Sequence, residues 1–381
     1  MIKITDKSSC CGCNACAEIC PKHCIKMYKD KNGFLYPKVD EKQCVNCGLC
    51  LKVCPCKTSL KEFQFPKDAF AVWTKDIEQH ISSSSGGIAS VLSRYIIEKG
   101  GVVYGCIAEG EIVKHLRVDD ICDIERLRGS KYVQSDIISI YSQVKSDLKN
   151  NKCVLFIGTP CQVAGLKNFI PLKSRENLYL VDLICHGVPS QQMFSDHIRS
   201  VMGNKKINKI SFREKTDFIL RLESDKIIYK TDLWKDRYVD MYYNGFIDGL
   251  IYRDSCYKCQ FARPERYSDM TIGDFWGLKD TEFLPNEHKN GVSVVLLNSD
   301  KGNSIFNAVK DLIIVYKRNV QEAIEGNTQL RHPSSYTKRA RLFNILYSLL
   351  PFDMSIRICY TDIIILERLR KIKRYLFDEC R

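Results

Sequence analysis

The sequence predicts an α+β chain: a small cysteine-organised module, then a mixed α/β domain and a helical C-terminal tail. Three observations carry that prediction. Cys10, Cys13, Cys16 and Cys20 precede Pro21 in a spacing that Cys44, Cys47, Cys50, Cys54 and Pro55 repeat. Beyond residue 68, short β-branched or aromatic runs alternate with helical patterns, which is the signature of a mixed α/β domain. Near the end the chain turns basic, with apolar runs at 342–352 and 363–369 interrupted by Pro351, Asp353, Arg357 and Glu367. The boundaries that follow are a module over 1–57, a linker over 58–68 containing Pro66, a main domain over 69–335 and a basic tail over 336–381.

The repeated C-x2-C-x2-C-x3-C-P run is the bacterial ferredoxin spacing, in which thiolates ligate cubane iron–sulfur clusters and the fourth Cys serves the other cluster. Thiolates two residues apart wrap one face of a cluster only if the backbone curls tightly, and Gly12, Ala15 and Gly48 sit inside those curls. The proline after each fourth Cys turns the chain outward, so that Cys20 and Cys54 cross between halves. Two [4Fe-4S] clusters are therefore expected, one on Cys10, Cys13, Cys16 and Cys54, the other on Cys44, Cys47, Cys50 and Cys20. Zinc ribbons use paired C-x2-C knuckles with a longer spacer and account for the spacing less well. Cys11, Cys24 and Cys56 fall outside the pattern and read as bystanders.

Length and composition bound the rest. A chain of 381 residues, 45% hydrophobic, has room for this module and one larger core. No basic start followed by an apolar run precedes Cys10, so no secretory leader is expected, and 20 cysteines then point to a reducing cytosol where thiols bind metal. The formal charge of +13 comes without a nucleic-acid-binding module, and bound clusters would lower it. No apolar run reaches the length of a membrane span, and the basic tail is expected to pack on the main domain rather than lie on a membrane.

Within the main domain, strands are expected at 69–73, 102–108, 151–157, 178–184 and 292–297, and helices at 87–98 and between the third and fourth of these strands. The turn before the first helix holds Ser82, Ser83, Ser84, Ser85, Gly86 and Gly87. Hydroxyls and free amides at a helix start suit a phosphate, although a Ser-rich cap needs no ligand. Cys161 follows Gly158-Thr159-Pro160 where a helix begins, and the next strand ends in Cys185-His186-Gly187. Two cysteines thus belong to one carboxyl edge of the sheet. With the pair Cys256 and Cys259 they make four, as a third [4Fe-4S] cluster requires; zinc, a reactive Cys161 beside His186, or buried thiols are the rival readings.

At these segments the chain resembles the coenzyme F420 hydrogenase/dehydrogenase beta-subunit family. The similarity lies in Ser83-Ser84-Ser85-Gly86-Gly87, in Arg128-Gly129-Ser130-Lys131-Tyr132-Val133-Gln134, in Gly158-Thr159-Pro160-Cys161-Gln162-Val163-Ala164-Gly165-Leu166, and in Asp182-Leu183-Ile184-Cys185-His186-Gly187-Val188-Pro189-Ser190. It continues through Ile210-Ser211-Phe212-Arg213, Cys256-Tyr257-Lys258-Cys259 and Asp269-Met270-Thr271-Ile272-Gly273-Asp274-Phe275-Trp276-Gly277. The resemblance implies a flavin-binding domain, usually for FAD, with the third cluster beside it. It also implies that Ser83, Ser84, Ser85, Gly86 and Gly87, with Arg128, Gly129, Ser130, Lys131, Tyr132 and Gln134, hold the cofactor's phosphates and ring, while Gly158, Thr159 and Pro160 lie against it. His186 is a candidate proton donor, Lys131 and Arg213 are candidate anchors, and Tyr257, Phe275 and Trp276 are candidates to stack on a ring or to fill the core.

Iron–sulfur clusters move single electrons and hydride carriers exchange two, whereas a flavin does both. The expected function is therefore an oxidoreductase passing electrons between clusters and a flavin that serves coenzyme F420 or another small two-electron substrate. A ferredoxin or another redox subunit is the expected partner. Two other readings stand beside it: a relay subunit of a larger complex without its own substrate chemistry, and a cluster-containing redox sensor. The Ser85-Gly86-Gly87 and Gly158-Thr159-Pro160 turns favour the first, because a relay needs no cofactor cradle.

Overall fold

The computed structural model describes residues 1–58, 60, 62–367 and 369. In the amino-terminal module, β1 (Ile25–Lys29) and β2 (Leu35–Val39) form an antiparallel hairpin with Ile25 opposite Val39. Two short helices, Ala15–Glu18 and Leu49–Val53, each start from a left-handed residue, Asn14 at φ 63° and Gly48 at φ 76°. Those two residues make the tight curls that the cysteine spacing demands. The module's own core is Ile2 and Ile25 with Cys16, Cys20, Cys24, Cys50 and Cys54, which is mostly sulfur. So few aliphatic groups cannot hold some fifty residues folded without a further cross-link.

The main domain is built on an eight-stranded sheet. Its strands are β3 (Asp68–Thr74), β4 (Val102–Glu109), β5 (Ile112–Val118), β6 (Val154–Gly158) and β7 (Leu178–Leu183). A separate three-stranded sheet, β8 (Lys209–Ser211), β9 (Ile219–Glu223) and β10 (Ile228–Asp232), interrupts the chain before β11 (Met270–Asp274), β12 (Ser293–Leu297) and β13 (Ile313–Arg318) complete the large one. The order is β13-β3-β12-β11-β7-β6-β4-β5. Its centre, β11, β7, β6 and β4, is parallel, and the flanking strands are antiparallel.

Side chains alternate across the sheet as the period of two requires. Val103, Leu155 and Val181 meet the helices Ile88–Glu98 and Asp300–Ala308 on one face. Val102, Tyr104, Val154, Phe156, Leu178 and Leu180 meet Ile140–Lys149 and Pro160–Phe169 on the other. Cys11, Cys13, Ala15 and Val53 join this second layer, so the cysteine module docks on those two helices. A second, aromatic-rich core contains Phe194, Phe212, Tyr242, Tyr243 and Phe246. Helices Lys338–Leu346 and Phe352–Cys359 bury Phe343, Phe352 and Ile356 in it. The basic residues Arg368, Arg370, Lys371, Lys373 and Arg374 lie outside the described residues. Among the described residues no helix is long and apolar enough to cross a membrane.

Candidate functional site

The ferredoxin-spaced cysteines fall into two groups. Cys20, Cys44, Cys47 and Cys50 line one small pocket together with Cys24, so the fourth Cys of the first run has crossed to the second. Cys47 is exposed and Cys44 half-buried, which puts this group at the outer end. Cys10, Cys13, Cys16 and Cys54 are all buried on the inner side. Burial pushes the Cys16 thiol up, and charge on Cys13, Cys10 and Cys50 would push it further. Cys54 is raised by its hydrogen bond with Cys56, by burial and by Cys13. Thiolates crowded in a low-dielectric interior ionise together only around a cation, and iron supplies one. The donor set therefore fits a cluster.

A third sulfur group assembles where the sheet topology puts it. β6 and β7 are parallel neighbours, so Cys161 and Cys185 both emerge at their carboxyl ends. Thr159 starts the helix Pro160–Phe169, with its amide donating to Gln162 Oε1 at 3.0 Å and its hydroxyl 3.3 Å from Cys161 Sγ. Cys256 sits in the turn Asp254–Lys258, and Cys259 follows it. All four line one cavity of about 210 Å³, together with Cys11 and Cys56. Burial, reinforced by neighbouring thiols, raises Cys185 well above the usual thiol range, Cys256 to about 12 and Cys259 to about 11. Cys161 is lowered, chiefly by its hydrogen bond with Cys11. Cys11 and Cys56, bystanders by spacing, thus stand between the inner ferredoxin group and the third group. Among the described residues no three His, Cys, Asp or Glu side chains gather as closely as one metal ion needs.

A larger cavity of about 390 Å³ lies on the other side of the β6 and β7 ends. Ser83, Ser84, Ser85, Gly87, the loop from Arg128 to Gln134, Gly158 and Thr159 all line it. Ser84 Oγ accepts from the Ser130 amide at 3.0 Å and Ser82 Oγ from Arg128 Nη1 at 2.8 Å, so the two loops hold each other. Arg128 Nε is buried and has no hydrogen-bond partner among the described residues. At Gly129, φ +83°, an added Cβ would meet nothing nearer than Ser84 Oγ at 4.0 Å. Volume, open backbone and an orphaned donor fit a ligand with an anionic end.

Other predicted residues take different roles, some of them within the cavity wall. Gly86 is a packing glycine, since a Cβ there would lie 2.0 Å from the Val72 carbonyl, and Pro160 faces the smaller cavity. Lys131 Nζ donates to the carbonyls of Arg126, Leu127 and Arg128 at 3.3, 3.0 and 2.8 Å, capping the helix Ile124–Leu127, and burial lowers its pKa to about 8. Arg213 is buried against Asp274 at 3.0 Å and the Ser84 carbonyl at 3.1 Å, off the cavity wall. Trp276 lies at the cavity, stacked on Phe218, whereas Tyr257 and Phe275 are core. His115, unremarked in the sequence, also lines the cavity, held by Ser135 Oγ at 2.9 Å and the Ile157 carbonyl at 3.1 Å. The two cavities share a wall: Thr159, Cys161, Cys185, His186, Gly187 and Val188.

Comparison with known proteins finds a match for each of two regions. Residues 151–322 match the family model for the C-terminal region of the coenzyme F420 hydrogenase/dehydrogenase beta chain, and residues 9–58 match a 4Fe-4S dicluster domain. Over residues 151–322 the chain belongs to the coenzyme F420 hydrogenase/dehydrogenase beta-subunit family. It is 23% identical over 319 residues to a coenzyme F420-dependent sulfite reductase of Methanocaldococcus jannaschii, covering 81% of this chain and 47% of the relative. It thus spans about half the length of that curated relative. A solved chain from the F420-reducing [NiFe] hydrogenase complex of Methanosarcina barkeri aligns over 71% of this chain and 93% of its own length, with 16% identity and a TM-score of 0.42. The beta-subunit match takes in the third cysteine group and the shared wall, and the dicluster match takes in both ferredoxin runs.

Proposed function

We propose that this chain is a cytosolic iron–sulfur flavoprotein oxidoreductase. It holds [4Fe-4S] clusters on Cys10, Cys13, Cys16 and Cys54, on Cys20, Cys44, Cys47 and Cys50, and on Cys161, Cys185, Cys256 and Cys259. FAD occupies the larger cavity, and the two-electron partner is coenzyme F420 or another small planar carrier. The observation that carries this reading is the wall common to the four-sulfur cavity and the larger cavity. A bound flavin would join the one-electron chemistry of clusters to two-electron exchange with a substrate.

The residues divide the work by position. Ser83, Ser84, Ser85 and Arg128 offer hydroxyls and an unpaired guanidinium N–H to the anionic tail, while Tyr132, Phe246 and Trp276 give apolar surface to a ring. His186 is exposed on the shared wall, where an imidazole can exchange protons with solvent. The exposed Cys47 marks the end at which a ferredoxin or redox subunit approaches. That exposure also favours the relay reading, in which the chain serves a larger assembly.

Anaerobically purified protein decides between them. Flavin maxima over a broad cluster absorption, with FAD released on denaturation, are expected. Cluster absorption without flavin would leave the relay. Cys161→Ser with Cys256→Ser is expected to remove about a third of the iron and sulfide while FAD stays; unchanged iron would remove the third cluster from the proposal.

A further inference from the structure

Three arginines are buried among the described residues: Arg213, Arg253 and Arg266. Two of them have a carboxylate, Arg213 on Asp274 at 3.0 Å and Arg266 on Asp182 at 2.9 Å. Arg253 has none among the described residues, although its exposure is 0%. Its Nε donates to the Cys10 carbonyl at 2.7 Å, Nη2 to the Leu35 carbonyl at 2.7 Å and to Cys10 Sγ at 3.6 Å, and Nη1 to Gln134 Oε1 at 3.3 Å. The Tyr36 ring lies 4.2 Å from the guanidinium carbon. Gln134 is held in turn, donating to the Cys11 carbonyl at 3.0 Å, and it also lines the larger cavity.

A guanidinium cannot shed its proton inside a protein, and an unpaired buried charge is strongly unfavourable. Neutral carbonyls and a ring do not cancel it. The nearest anion available is sulfur: Cys10 and the group to which it belongs. We infer that Arg253 is the counter-ion of the inner cluster, the one on Cys10, Cys13, Cys16 and Cys54, and sets its reduction potential. This rests on the cluster reading above.

The physics fixes the direction. Reduction adds one electron to the cluster, with no bond made or broken, so its negative charge grows by one. A fixed cation and an N–H···S bond stabilise that added charge and raise the potential. Arg253 also lines the cavity of the third sulfur group, so the same cation stands between the two inner groups. Gln134 keeps the fork aimed at sulfur.

The test is a potentiometric titration followed by electron paramagnetic resonance on the full chain, its Arg253→Gln and its Arg253→Lys variants, with iron, sulfide and FAD counted in each. Arg253→Gln is expected to lower the potential of one cluster so that its reduced-to-oxidised ratio at fixed potential falls at least tenfold, about 59 mV for one electron. Arg253→Lys keeps the charge and is expected to restore most of the shift. Loss of one cluster in the Gln variant alone also supports the inference, because assembly then depends on the cation. Unchanged potentials, equal shifts in both variants, or equal loss of cluster in both would overturn it. A wild-type chain without iron and sulfide after reconstitution would instead overturn the cluster reading itself.

Discussion

His197 is buried between two carboxylates, with Nε2 2.9 Å from Asp240 and Nδ1 2.8 Å from Asp353, and Tyr229 donates to Asp240 at 2.9 Å. Burial alone would lower its pKa, but the charge of Asp240 and hydrogen bonds with both aspartates overcome that and raise it to about 10. The triad joins the helix Gln191–Met202 to the later helix Phe352–Cys359. A raised folded pKa means stability that is full below the unfolded value of about 6.5 and is lost as pH rises through about 10. The melting difference between wild type and His197→Gln is therefore expected to be flat below pH 6.5 and to shrink steadily towards pH 10. At neutral pH the substitution leaves Asp240 buried without its cation and is expected to cost about 3–5 kcal/mol. Equal pH profiles for the two proteins would show that His197 is neutral in the fold.

At the scale of elements, the helix Pro160–Phe169 lies against the cysteine module through a glycine. A Cβ on Gly165 would come 2.9 Å from Tyr141 Oη and 3.0 Å from Cys13 Sγ. Alanine would add up to about 1 kcal/mol of helix propensity, while overpacking costs about 1–3 kcal/mol, so the clash wins. Gly165→Ala is expected to lower the melting temperature and the iron content together, and a more stable protein with full iron would show that the module yields freely. The same helix shows what could be read from the sequence. β6 and β7 are short apolar runs bounded by Gly158 and by Cys185-His186-Gly187, so their parallel edge and its two cysteines were legible. β5, β8, β10 and β13 were not, because edge positions let Lys114, Lys209, Lys230 and Lys317 interrupt the apolar pattern. The eight ferredoxin-spaced thiols announce themselves by local spacing. Arg253 and His115 act through partners more than a dozen residues away, and Cys11 and Cys56 acquire a place only when the module docks.

Across the whole molecule, the cysteine module is tied to the sheet domain by specific hydrogen bonds besides those of Arg253 and Gln134. Glu18 accepts from the Ser142 amide and hydroxyl at 2.8 and 2.9 Å, Ser190 Oγ donates to the Asn32 carbonyl at 2.6 Å, and Gln260 donates to the Pro55 carbonyl at 2.6 Å. These contacts orient the module, whereas its own fully buried cluster is five cysteines and two isoleucines. The sheet domain has layered cores on both faces and does not share this dependence. Iron removal by a chelator under reducing conditions is therefore expected to unfold one part only. Hydrogen exchange should lose protection across residues 1–58, while amides of β6, β7, β11 and β12 keep theirs, because metal-ligand bonds stand in for a missing apolar core only in the module. Exchange that rises evenly over both parts would mean that the two fold as one cooperative unit. Unchanged protection in the module would mean that its docking surface, rather than iron, holds its shape.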